Sequence, residues 1–123
     1  MDFMFSYTEA FDQDIGEWDV SSVTIMDYMF TYNYAFNQDI GEWDVSGVSD
    51  MNGMFYGAKT FNQDIGEWNT GSLTSITQMF EDAEAFGQEL GWCVNVDHAL
   101  TDVFSNTLCA ATSCGVSEEG SCP

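Results

Sequence analysis

Apolar residues recur along this chain at a fixed interval. Met4-Phe5, Met29-Phe30, Met54-Phe55 and Met79-Phe80 fall 25 residues apart, as do Phe11, Phe36, Phe61 and Phe86. Ile15, Ile40, Ile65 and Leu90 hold the same register, with Trp18, Trp43 and Trp68 beside them; Trp92 arrives one residue early because a Glu is missing. The polar letters repeat too: residues 36–43 and 61–68 both read FNQDIGEW, and 11–18 read FDQDIGEW. After Trp92 the pattern decays, and LTDVF at 100–104 is a worn copy of MDYMF. There are about four units and a degenerate fifth. Repetition of this kind marks stacked units, each burying its apolar rows against those of its neighbour.

Within a unit, Met26, Met29 and Phe30 have the i, i+3, i+4 spacing of one helical face. Thr24 with Asp27 has the form of a short capping box, repeated more weakly by Ser49 with Asn52. This pattern predicts short helices over 25–33, 50–58 and 75–84. In QDIGEWDV, Ile40, Trp43 and Val45 stand partly in alternation among polar residues, which predicts one or two very short strands bent at Gly41. The Gly row (Gly16, Gly41, Gly66, Gly91) marks a turn that a side chain would block. The expected fold is therefore an α/β repeat, a leucine-rich-repeat-like solenoid of about four 25-residue coils, each a very short strand plus a short helix. It spans residues 1–104, and a Cys-rich C-terminal cap follows at 105–123. Met1 occupies the slot of Met26 and Met51, so the chain reads as opening mid-unit, a fragment of a longer array with an uncapped first row suited to self-association.

Composition narrows the partners. Twenty-one Asp plus Glu against a single basic residue, Lys59, give a formal net charge of −20 over 123 residues. Phosphate backbones and anionic membrane surfaces repel such a chain, which excludes nucleic-acid binding. Basic proteins and divalent cations are the complementary classes. Ten Phe, four Trp and five Tyr supply a core and argue against disorder. No apolar run reaches the roughly 18 residues of a spanning helix, so this segment inserts into no membrane.

The pattern W-D-V-S-x-V-x-x-M-x-x-M-F from Trp43 to Phe55, followed by A-x-x-F-N-Q-D-I from Ala58 to Ile65, resembles the repeat of Mycoplasma-type surface lipoproteins, grouped with the BspA-like leucine-rich repeats. The match covers residues 1–104. It implies a right-handed β/α solenoid at the cell surface or outside the cell, used for adhesion or protein binding, with no catalytic site. The Gly-Glu pair before Trp18, Trp43 and Trp68 departs from that family's usual polar residue and adds charge to each of those units.

The acidic columns are the first candidate site. Asp14, Asp39, Asp64 and Glu89 share one column, and Glu17, Glu42 and Glu67 another. At about 5 Å between neighbours, each like-charge pair costs somewhat under about 1 kcal/mol in water. The favoured reading has the Asp row accepting backbone N–H groups at a turn and the Glu row solvated. The alternative places Ca²⁺ between stacked carboxylates, with Gln and Asn carbonyls assisting. No other cofactor is expected.

Cys93, Cys109, Cys114 and Cys122 are confined to the last stretch, where the repeat fails. Two disulfides stapling the cap, in an oxidising compartment, are preferred over a zinc site with His98, and sequence leaves the pairing open. His98, the only histidine, reads as a surface or capping residue. Equivalent columns offer no unique pair of carboxylates, so an enzyme is not expected. Tyr28, Tyr32 and Tyr56, near the helical segments, are the candidate binding face. The function expected is an extracellular or cell-surface module for protein binding or adhesion, its ligand a protein or matrix component of basic character. The alternative is a stacking unit of a stalk or fibre, stabilised by divalent cations.

Overall fold

A computed structural model describes residues 1–100 and 102–118 of the chain. Cys122 lies outside the described residues. Among them there is no α-helix, and regular strand is limited to β1 (Cys93–Val94) paired parallel with β2 (Ser117–Glu118). The expected α/β solenoid of strand-plus-helix coils is therefore incorrect. The segments 25–33, 50–58 and 75–84 are runs of turns, and Ile40, Trp43 and Val45 belong to no strand.

The backbone hydrogen bonds give the physical reason. The N–H groups of Met26, Tyr28, Phe30 and Tyr32 do not reach back four residues as in a helix. They donate to the carbonyls of Asp50, Asn52, Met54 and Tyr56 in the following repeat, at 2.7–2.8 Å. Met51, Gly53, Phe55 and Gly57 donate in the same way to Ser75, Thr77, Met79 and Glu81. Intervening groups close local turns, such as Asn33 N–H to Phe30 C=O at 3.0 Å. Every second donor is thus committed to a neighbour, and the i→i−4 ladder cannot form.

Two slots per repeat adopt the left-handed conformation: Phe3, Tyr28, Gly53 and Gln78 in one, Tyr7, Tyr32, Gly57 and Asp82 in the other, with φ between 53° and 65°. A non-glycine residue there costs roughly 1–2 kcal/mol, which the inter-repeat hydrogen bonds offset. The expected Thr24–Asp27 box is absent as well, because Asp27 Oδ1 accepts the N–H of Asn52 at 2.8 Å.

The result is a pile of turn-built layers, which we number from the parallel bridges Ile25–Asp50–Ser75: layer 1 is 1–24, layer 2 is 25–49, layer 3 is 50–74 and layer 4 is 75–98. The core is made of aromatic files. Phe30, Phe55, Phe80 and Phe104 stack with centroids 5.3–5.5 Å apart. Phe36, Phe61 and Phe86 follow at 6.0 Å, and Trp43, Trp68 and Trp92 at 6.1–6.5 Å. These rings are buried, with the Met and Ile rows between them.

Residues 102–118 lie on layer 4 and extend the pile. Leu90 N–H donates to Cys114 C=O at 2.7 Å, and Ser117 N–H to Trp92 C=O at 2.9 Å. Here Cys109, Cys114 and Val116 are buried against the ends of the Phe, Ile and Trp files.

Candidate functional site

Repetition gives the molecule columns rather than a single cleft, and each column is a line of side chains 25 residues apart. In the acidic column, Asp14, Asp39 and Asp64 each accept the N–H of the glycine two positions on, at 2.9–3.0 Å. Asp19 and Asp44 do the same for Ser21 and Ser46, also accepting their hydroxyls at 2.5 and 2.6 Å. Those hydroxyl bonds, then the backbone ones, hold the Asp19 and Asp44 carboxyls below the ordinary range. Glu17, Glu42 and Glu67 point into water.

The Gln residues are engaged elsewhere. Gln38, Gln63 and Gln88 donate their Nε2 groups to Asp12, Asn37 and Asn62 of the preceding layer. Among the described residues no group of three or more His, Cys, Asp or Glu is gathered as a metal would need. Asp14, Asp39, Asp64 and Glu89 are thus turn-forming and surface carboxylates in a line, and the structure does not bring them together into a cage.

Cys109 and Cys114 form a disulfide with Cα atoms 5.2 Å apart. Cys93, at the start of β1, is disulfide-bonded too. His98 is half-buried, and its Nε2 accepts the N–H of Ile76 at 3.0 Å. In layers 2 and 3 the equivalent N–H groups, of Met26 and Met51, donate to backbone carbonyls. The imidazole therefore stands in for a ladder carbonyl where the shortened repeat has lost register.

The tyrosines form the most distinctive surface. Tyr7, Tyr32 and Tyr56 run along one edge with successive centroids 5.2 Å apart. Tyr56 reaches the Tyr32 ring across the slot that Gly57 leaves open, where a Cβ would lie 2.5 Å from that ring. Its phenol is pushed up to about 12, first by the hydrogen bond to Tyr32, then by the Tyr32 charge, burial and the Glu81 and Asp82 carboxylates. Tyr28 belongs to the other left-handed slot, stacked on Phe3 at 5.0 Å and lying over Gly53. Of the three predicted face residues, the structure joins Tyr32 to Tyr56 and sets Tyr28 apart.

Sequence reasoning passed over the adjacent column. Glu9, Tyr34, Lys59 and Glu84 share one register. Lys59 Nζ lies 5.9 Å from the Tyr34 ring centroid and 2.6 Å from Glu84 Oε1. Glu84 holds the Lys59 ammonium above its ordinary value. Beside this pair, Tyr7, Glu9, Tyr32 and Tyr34 line an open recess of about 190 Å³. Aligning the repeats and reading down this column would have found it, because opposite charges and a tyrosine fall in one line.

Fold and surface define a repeat protein of stacked turn layers, with acidic and tyrosine columns along its sides. The chain belongs to the family described as "Mycoplasma protein of unknown function, DUF285", whose sequence profile matches residues 1–112. Neither the curated proteins nor the solved structures include a match to it. No helix among the described residues is long and apolar enough to cross a membrane.

Proposed function

We propose that this protein is a non-catalytic binding module, displayed outside the cell or on its surface, that attaches to a protein or matrix partner. The observation that carries this reading is the tyrosine edge, where Tyr7 and Tyr34 stand exposed beside the half-buried Tyr32 in an acidic surround. Tyrosines give large contact area at low entropic cost, and adhesive interfaces are enriched in them. The disulfide-bonded cysteines support an oxidising compartment. The resemblance of the repeat to BspA-like surface proteins supports an adhesive role. Bead-immobilised protein should bind a cell surface or matrix saturably, with competition by free protein. Binding that never saturates on any surface tested overturns the proposal.

One observation favours a second reading, a stacking unit of a stalk or fibre. Trp18 is 42 % exposed where Trp43 and Trp68 are 4 %, an aromatic surface of the kind that favours association. Light scattering should then show concentration-dependent assembly, and a strict monomer at high concentration removes this reading.

A further inference from the structure

The protein's single basic side chain shows how its surface holds a cation. Lys59 is seated between a carboxylate and an aromatic ring, with Glu84 on one side and Tyr34 on the other. This combination of ion pair and cation–π contact is how an ammonium is recognised where water still reaches it.

The same elements recur next door without a basic residue. Glu9 precedes Tyr34 in the column by one repeat, as Glu84 follows Lys59 by one. The recess of about 190 Å³ between layers 1 and 2 is lined by Tyr7, Glu9, Tyr32 and Tyr34. Tyr7 and Tyr32 stand with ring centroids 5.2 Å apart and tilted by 41°, and both line the recess. Tyr7 is 69 % exposed and Tyr34 37 %, which leaves the recess accessible.

We propose that this recess receives a lysine side chain of a basic partner protein. The methylene stem would lie along the Tyr7 and Tyr32 rings, and the ammonium would sit against Tyr34 and Glu9, matching the arrangement of Lys59. The net charge of −20 draws basic segments toward the whole surface; the recess supplies the specific seat. The proposal rests on the binding-module reading and names the chemistry of its partner.

The test uses the full chain and a short acetylated, amidated peptide of alternating glycine and lysine. A control peptide carries Nε-acetyl-lysine at the same positions. Tyrosine ring signals are followed by NMR during titration. The lysine peptide should shift the Tyr7, Tyr32 and Tyr34 signals and the acetylated one should not. Tyr7→Ala and Glu9→Gln should each weaken binding roughly two- to fivefold, the loss of one exposed contact of this type. Glu17→Gln makes the same charge change at an exposed position outside the recess and should leave binding unaltered.

Equal shifts from both peptides, or equal weakening by Glu9→Gln and Glu17→Gln, would mean diffuse attraction only and overturn the proposal. A macromolecular partner retained in full by the Tyr7→Ala and Glu9→Gln variants would likewise remove this site while leaving the binding-module reading intact. Recess-specific peptide binding with no partner on any surface would do the reverse.

Discussion

The indole Nε1–H of Trp68 donates to the carbonyl oxygen of Ile40 at 3.0 Å, 28 positions back along the chain. Trp43 does the same to Ile15 at 3.0 Å, and Trp92 to Ile65 at 3.2 Å. Each tryptophan thus closes its layer onto the preceding one, through its face by stacking and through its edge by this bond. Trp18 occupies the same slot in layer 1 and is 42 % exposed.

This difference sets up a graded series. Trp68→Phe keeps an aromatic ring in the file but takes from the Ile40 carbonyl one of its two donors, the other being the Trp43 N–H at 3.2 Å, and leaves a void beside it. The expected loss is about 2–3 kcal/mol in urea unfolding. Trp18→Phe, at the exposed member of the row, should cost under about 1 kcal/mol. Equal losses at the two positions would show that the bond to Ile40 contributes nothing.

The glycine row separates backbone approach from turn conformation. A Cβ on Gly41 would lie 2.7 Å from the Asp64 carbonyl oxygen in the next layer, and one on Gly16 would lie 2.5 Å from that of Asp39. Neither glycine needs a positive φ; the obstacle is the neighbouring layer. Gly47 meets nothing closer than 3.7 Å. Gly41→Ala should destabilise by about 1–3 kcal/mol as the layers are forced apart. Gly47→Ala should be neutral or stabilising by up to about 1 kcal/mol. Thermal melts of the two variants check this, and a tolerated Gly41→Ala is the outcome that contradicts it.

The rows of this fold were legible in the sequence because Phe36, Phe61 and Phe86 must fill the same interior slot in every layer. The path of the backbone between them was misread. The spacing of Met26, Met29 and Phe30 suits a helix, but successive turns place those side chains on one side equally well. The discriminating signal was present in the third repeat, where Gly53 and Gly57 occupy the slots of Tyr28 and Tyr32. Two glycines four residues apart are poor helix formers and point to a left-handed backbone. Inter-layer hydrogen bonding is not visible in one repeat alone, because its acceptors lie in the next. For the same reason the expectation of a surface or capping role for His98 left open which backbone group its ring serves, the Ile76 N–H. In the acidic column, the Asp-x-Gly spacing of Asp39 and Gly41 did suggest a turn acceptor, since both groups of that bond lie within one short stretch.

At alkaline pH the tyrosine edge should report on itself. Tyr56 has its phenol pushed up to about 12, chiefly by donating to Tyr32. The unfolded state ionises near the ordinary value of 10.0, so the stabilisation is complete below that pH. It is lost as pH rises from there through about 12. Tyr32→Phe removes the acceptor and should bring the Tyr56 titration down, read as phenolate absorbance. An unmoved titration in that variant would assign the shift to burial and the nearby carboxylates instead.

Asp27 is shifted in the opposite sense from Asp19 and Asp44. Burial raises its carboxyl above the ordinary value of 3.8, the Asn52 N–H opposes this, and the charges of Asp50 and Asp2 add to it. The native state therefore resists ionising a group that the unfolded chain ionises freely. Below 3.8 both states hold the proton and no penalty exists. As pH rises through the raised native value the penalty develops, and at neutral pH it is complete. Asp27→Asn keeps an oxygen for the Asn52 N–H, much as Asn52 itself accepts from Thr77 one layer on at 2.9 Å. With solvent screening a largely wet site, the variant should be more stable at pH 7 by on the order of 0.5 kcal/mol. That gain should fade on acidification to pH about 3. A variant less stable at neutral pH, or a gap that persists in acid, would show that the carboxylate is worth more as an acceptor than it costs as a charge.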